Sequence, residues 1–292
     1  MSELKVSPSV RARALEKGID LEKLARDTGR TTIGREDLEG DKRAAAPAGD
    51  TSYWDVDHGH YGPVREEPLS RFAQAASANL AAANALIPQV THHDRADMTA
   101  IEAFRASLKP EARARGIRLT ALAFQVKALA RTLRAFARFN ASLKPDGRTL
   151  VLKEYVHVGL AVDTPHGLMV PVIRDADAKG LWQIARDIAD LAARAQARKI
   201  APDEMGGASM TISALGGIGG TAFTPIVNPP ELAILGITRT EVATVWDGDV
   251  PRPVPMLPLD LSYDHRVING ADAARFLSHL AGLLADPRRM MI

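Results

Sequence analysis

Cysteine is absent from the 292-residue chain. Disulfides, thiolate metal sites and cysteine nucleophiles are therefore excluded, and any thiol chemistry must use a sulfur carried by the substrate. Long apolar runs are missing as well: none approaches the ~20 residues of a membrane span. The N-terminus, MSELKVSPSV, lacks the apolar core of a secretion signal, so a cytoplasmic location is expected. Charge of one sign is lacking too, since 37 Lys and Arg face 35 Asp and Glu. That balance gives no electrostatic ground for nucleic acid or an anionic membrane as a main partner. What is present is 46% hydrophobic and 25% charged residues, ordinary for a globular protein with a sizeable core. The length suits one large domain and one small one.

Residues 4–43 read as the small unit. Ser7-Pro8 is a good helix start, Val10, Ala14 and Leu15 give a short apolar face, and Gly18 stops the helix. After a turn around Thr28-Gly29, GREDLEG is expected to form a second short helix. About 40 residues bury little surface, so the value of this unit lies in binding something. Residues 44–52, opening AAAPAGD, are small and Pro/Gly-containing and read as a flexible linker.

The remainder, 53–292, alternates helix and strand patterns. Helices are expected over 70–86, over MTAIEAFRASLKPEARARG with a break near Pro110, over 119–139, over LWQIARDIADLAARAQARKI and over ADAARFLSHLAGLLA. Strands are expected within 87–98, in EYVHVGLAVDT and LMVPVIRD as a pair, and in ASMTISAL, ELAILGIT, TEVATVW and VPMLPLDLSYD. The mixture points to an α/β or α+β two-layer domain.

Several patterns could carry chemistry, each beside a plainer reading. MTISALGGIGGTAFTPI holds Gly216, Gly217, Gly219 and Gly220, but neither a dinucleotide fingerprint nor a P-loop. Those glycines read better as close backbone packing against a ligand or a neighbouring chain. Ser213 is not in a hydrolase elbow, and a lone strand serine is more often bonded to backbone. His92-His93-Asp94 lacks a second ligand cluster, so no metal is expected; His93 has no setting that singles it out. His265 differs, because it ends a strand where the chain turns, with a glycine shortly after. Asp264 and Arg266 beside it read as charges that pair locally and fix that turn.

DHRVINGADAARF resembles the His-x-x-x-Asp-Gly signature of dihydrolipoamide acyltransferases, the core components of 2-oxo acid dehydrogenase complexes. IPQVTHHDRADMTAIEAFR, YVHVGLAVDTPHGLMVPVIRD and SMTISALGGIGGTAFTPIVNPPELAILGI agree with that family in order and spacing. IVNPPELAILG and DHRVING look most like the acetyl-transferring, pyruvate-type branch. The resemblance covers about 53–292 and implies the two-layer α/β fold of chloramphenicol acetyltransferase, in trimers with active sites between subunits. Residues 4–43 resemble the family's peripheral-subunit-binding domain, which docks the decarboxylase or dihydrolipoamide dehydrogenase. The loop Thr28-Gly29-Arg30-Thr31-Thr32-Ile33 is one residue shorter than the family's and lacks its second Gly-Arg. Lys42 follows Asp41 but has no flanking strands, so it reads as a surface lysine. The lipoyl group is then supplied in trans.

The resemblance also implies roles. Acyl transfer between thiols needs a base, because a free thiol is only a few per cent thiolate at pH 7, and a donor to the developing oxyanion. An imidazole, with a reference pKa of ~6.5, suits the first task. By resemblance His265 is that base, acting on the thiol of coenzyme A or of dihydrolipoamide, and Ser213 donates to the oxyanion from a neighbouring subunit. Asn269, where the signature more often has Asp, orients the site by hydrogen bonding. Arg71 and Asp163 are expected to form a supporting ion pair. Gly219, Gly220, Thr221, Phe223 and Pro225 line the coenzyme A or lipoamide channel. Met290, Met291 and Ile292 contact a neighbouring trimer and build a larger cage. Two alternatives stay open: a scaffold of the same fold without catalysis, and transfer of a branched-chain or succinyl group.

Overall fold

The computed structural model describes residues 5–16, 19–28, 32–33 and 54–290. The chain divides into two compact units, Met1–Arg65 and Glu66–Ile292. In the first, β1 (Lys5–Val6) pairs in parallel with β2 (Thr32–Ile33). Pro8 opens α1 (Pro8–Glu16), where its missing N–H costs nothing. Val10 and Ala14, one turn apart, are buried against Val6, Ile19, Leu21, Leu24 and Ala25. The last three belong to α2 (Leu21–Thr28), a helix the sequence reading did not single out. Asp20 starts it by accepting from Glu22 N at 2.9 Å. The helix expected in GREDLEG, the linker 44–52 and Lys42 lie outside the described residues.

The second unit begins with α3 (Arg71–Leu86), capped by Ser70 Oγ accepting from Ala73 N, and the chain turns extended at Ile87 before Pro88. Next come β3 (Gln89–Asp97), α4 (Thr99–Ser107) and α5 (Lys109–Ala114). Helices α4 and α5 part at Leu108, with Pro110 in the first turn of α5 where it is tolerated. Helix α6 (Ala121–Ala135) buries Phe124, Val126, Leu129 and Leu133. A short hairpin outside the strands expected from the sequence, β4 (Ala141–Leu143) with β5 (Leu150–Leu152), turns at Gly147, φ +67°. The chain continues through β6 (Val158–Ala161), β7 (Val172–Ile173), α7 (Leu181–Gln196), β8 (Met210–Ala214), β9 (Ala233–Ile237), β10 (Glu241–Asp247), β11 (Val250–Asp264) and α8 (Gly270–Ala285). Among the described residues no helix is long and apolar enough to cross a membrane.

Seven strands form one sheet in the order β10-β11-β9-β8-β6-β7, with β3 also on β11. Strands β6, β8 and β9 are parallel, and β11 runs antiparallel to β9, β10 and β3. The alternation in LPLDLSYD decides the two faces. Leu257, Leu259, Leu261 and Tyr263 join Met210, Ile212, Leu235 and Ile237 in the core, with Phe124, Phe139, Ile184, Phe276 and Leu280 from the helix side. Phe139 and Phe276 stack at 4.2 Å between centroids. Each such side chain contributes roughly 1.5–3 kcal/mol by leaving water. Met290, expected at an oligomer contact, is instead buried in this core at 4% exposure, because the turn Pro287–Met290 folds back beneath α8. Met291 and Ile292 lie outside the described residues.

Beyond its pairing with β3, β11 continues as a ribbon with β10. Pro255 O accepts from Met98 N at 2.8 Å, so odd-numbered backbone groups of β11 face the β3 side. Pro251 and Pro253 share that parity, so the edge beyond Asp97 lacks their N–H donors and resists adding a strand.

Candidate active site

At the end of β11 the chain turns through Asp264-His265-Arg266. Asp264 is 1% exposed. Its carboxylate accepts from Arg266 N at 3.0 Å, from Nε at 2.9 Å and from Nη2 at 2.6 Å. This pairing holds the guanidinium above its ordinary pKa and closes the turn as a bidentate clamp. His265 N donates to Pro88 O at 3.1 Å, tying the turn to the entry of β3. The His265 ring is exposed and lies 5.9 Å from the Tyr263 ring. Among the described residues, no side chain of the same chain hydrogen-bonds this imidazole. Asn269, four residues on, spends its Oδ1 as the cap of α8, accepting from Asp272 N at 2.9 Å.

Ser213 is half-buried near the end of β8, on the face opposite the helices. Cross-strand pairing sets it in a row with Ala161, Gly236, Asp260 and His93. The stretch of β11 from Asp260 to His265, at ~3.3 Å per residue, and two strand spacings of ~4.8 Å put Ser213 and His265 Cα atoms roughly 19 Å apart. Within one chain the two side chains do not meet.

The segment from Gly216 to Pro230 crosses this polar face. Gly219 and Gly220 have φ of +151° and +89°, values that an L side chain rarely adopts. Thr238 Oγ1 donates to Thr221 O at 3.1 Å, and Phe223 N donates to Asp260 Oδ2 at 3.1 Å. The Phe223 ring lies over Gly236, where a Cβ would come within 2.7 Å of it. Pro225 is buried, and Val227 packs with Ala83, Ile87 and Ile234.

The same face carries polar groups that sequence reasoning missed. His93 Nδ1–H donates to Asp260 Oδ1 at 2.6 Å. Thr91 and Ser262 share a hydrogen bond at 2.7 Å. Glu231 is buried, and desolvation pushes its pKa up to about 7 against the opposing pull of Thr211 Oγ1 and Asn228 Nδ2, both bonded to its Oε1. Among the described residues its Oε2 has no hydrogen-bond partner. Gly159 makes room for the Thr211 hydroxyl, since a Cβ there would lie 2.5 Å from Oγ1. The available signal was the alternation of Asp260, Ser262 and Asp264 along β11.

Arg71 and Asp163, expected to pair, form no ion pair within one chain. Both are exposed, Arg71 opening α3 and Asp163 following β6, where its carbonyl accepts from Gln196 Nε2 at 2.5 Å. Among the described residues, no group of three or more His, Asp or Glu is arranged to hold a metal ion.

Fold and site together define a two-layer α/β domain whose polar sheet face presents hydroxyl, carboxyl and imidazole groups. The family model of the 2-oxoacid dehydrogenases acyltransferase (catalytic domain) matches residues 61–292, and the chain belongs to that family. It is 45% identical over 303 residues to the dihydrolipoyllysine-residue acetyltransferase component of pyruvate dehydrogenase complex of Pseudomonas aeruginosa, across 100% of this chain and 55% of that protein. The Azotobacter vinelandii protein of the same description is 44% identical over 304 residues, across 100% and 48%. The chain thus spans about half the length of the curated relatives it matches. A solved structure of the Azotobacter vinelandii dihydrolipoamide acetyltransferase is 50% identical with a TM-score of 0.80, covering 81% of this chain and 98% of that one. The cubic core of the pyruvate dehydrogenase multienzyme complex gives 51%, 0.80, 81% and 98%.

Proposed function

We propose that the chain transfers an acetyl group between dihydrolipoamide and coenzyme A, as the core component of a pyruvate dehydrogenase complex. One observation carries this reading. The Azotobacter structure addresses the role of a serine, a histidine and an asparagine in that enzyme's catalytic mechanism, and their intervals along the chain equal those from Ser213 to His265 and from His265 to Asn269.

In this reading the His265 imidazole takes the proton from the coenzyme A thiol. The thiolate attacks the acetyl thioester carbonyl, and Ser213 Oγ donates to the oxyanion of the tetrahedral intermediate. Collapse breaks the bond to the dihydrolipoamide sulfur, which leaves with the proton from His265. No acyl-serine forms, and the step needs no metal. With a separation of roughly 19 Å across the sheet, the serine and the histidine of one site come, in this reading, from two copies of the chain. A homotrimer supplies that arrangement, and the cubic core among the structural relatives supports assembly into a larger cage. Asp264 and Arg266 hold the histidine turn, and Asn269 fixes where α8 starts beside it. Arg71 and Asp163 are left to pair between copies, and Gly219, Gly220, Thr221, Phe223 and Pro225 to line the approach to Ser213. The lipoyl group arrives on another domain or chain, and residues 4–43 dock the decarboxylase or dihydrolipoamide dehydrogenase.

The test is acetyl transfer from acetyl-CoA to free dihydrolipoamide. Ser213→Ala is expected to lower kcat by about 10²–10³, and His265→Ala to abolish turnover. Mixing chains that carry one or the other substitution, then reassembling them, restores part of the activity, because some interfaces regain both groups. Turnover unchanged in His265→Ala, or no recovery on mixing, would sink the shared site.

A further inference from the structure

We propose that Asp260, held by His93, is a positioning residue for this transfer: it fixes the Phe223 backbone amide and with it the segment beside Ser213. The inference rests on the acyl-transfer reading above. The observations are a row of four neighbours across the sheet, Ser213, Gly236, Asp260 and His93, and a loop laid across it.

Asp260 is 1% exposed. A buried carboxylate is costly unless its oxygens are satisfied, and an apolar side chain of similar size is often as stable or more so. Here both oxygens are in use. Oδ1 accepts from His93 Nδ1–H at 2.6 Å, and Oδ2 accepts from Phe223 N–H at 3.1 Å. His93 is 49% exposed, so it orients the carboxylate from the rim of the sheet. The carboxylate in turn fixes the direction of one backbone amide.

That amide matters because of what precedes it. Gly219 and Gly220 give the loop little stiffness of its own. Past the glycines it is held at Thr221 by Thr238 Oγ1 and at Phe223 N by Asp260, with a further tether only beyond them, where Val227 N donates to Gln89 Oε1 at 2.7 Å. Between Asp260 and Ser213 lies Gly236, and the Phe223 ring occupies the space its missing side chain leaves. A Cβ at 236 would stand 2.7 Å from Phe223 Cε1 and 3.2 Å from Asp260 Cβ. The ring is therefore the wall next to Ser213, set by a glycine below and a carboxylate at one side. A displacement of that wall by about 1 Å is enough to cost up to about 100-fold in a reaction that depends on a near-attack geometry.

The experiment uses the full chain in its assembled state and reads kcat, KM and the unfolding midpoint for acetyl-CoA with dihydrolipoamide. Asp260→Leu removes the acceptor and keeps the volume, and kcat falls about 10- to 100-fold while the midpoint holds or rises. Asp260→Asn still offers Phe223 N–H an oxygen, and its amide N–H meets His93 in the other tautomer, so it retains most of the turnover. Gly236→Ala displaces the ring from below and reproduces the loss even where Asp260→Leu fails to fold. Wild-type kcat and KM in both Asp260→Leu and Gly236→Ala would overturn the inference. So would an Asp260→Asn variant as impaired as Asp260→Leu, since the negative charge and not the tether would then be responsible. Ser213→Ala in parallel separates the two readings. If it is fully active, the acyl-transfer role of Ser213 fails whatever Asp260 does; if it is impaired while the other variants are not, only the positioning role fails.

Discussion

Along β11, Leu257, Leu259, Leu261 and Tyr263 point into the helix layer, while Pro258, Asp260, Ser262 and Asp264, one residue out of step, are as deeply buried on the opposite face. The apolar face is held by area. Its contacts with α6, α7 and α8 are non-directional, and no single partner is essential to any of them. The polar face is held by named pairs: Asp260 with His93 and Phe223 N, Ser262 with Thr91, Asp264 with Arg266, Thr211 with Glu231. Both faces exclude water, but only the second fixes directions, and it is the second that carries Ser213.

The apolar face should give the greatest loss of stability. Phe276→Ala should cost about 3–5 kcal/mol in urea unfolding; a loss below ~1 kcal/mol would mean that the helix layer collapses around the cavity. The next belongs to Glu231. Its folded pKa of about 7 lies above the ordinary 4.5, so the folded state binds the extra proton. Its contribution is therefore full below pH 4.5 and is lost as pH rises through about 7, by on the order of 3 kcal/mol. Comparing wild type with Glu231→Gln from pH 4 to pH 8 checks it: the wild type should lose stability relative to the variant as pH rises, and a constant difference would refute the buried acid. Asn269→Ala should cost about 1 kcal/mol through the α8 cap, whereas Asn269→Asp keeps that cap; equal stability of the two variants would remove the capping role. Smallest is Trp246→Ser on the exposed β10 ribbon, expected within about 0.5 kcal/mol of wild type. A larger loss in the assembled protein than in the isolated chain would show that the ribbon is covered in the assembly.

Much of this was legible in the sequence. The periodicity of 119–139 and of LWQIARDIADLAARAQARKI gave α6 and α7, and Pro110 marked the break between α4 and α5. The strand ending in Asp264-His265-Arg266 and the local role of its two charges were readable because the three residues are adjacent. Helix α2 was missed because eight residues, LEKLARDT, carry too little periodicity to stand out. In the sequence Met290 reads as an outward contact because two further apolar residues follow it, and only the fold shows it returning under α8. His93 looked unexceptional because its partner is 167 residues away.

Which residues alternate, which cap and which turn can be read from the chain alone, since these depend on neighbours within a few positions. The sequence also placed His265 at the mouth of a strand and Ser213 inside one. That β8, β9, β11 and β3 lie side by side in that order is a result of long-range packing. That order puts Ser213, Gly236, Asp260 and His93 in one row and keeps His265 out of it. Strand neighbours are chosen by burial of the whole apolar face, a sum over distant segments that no local pattern contains.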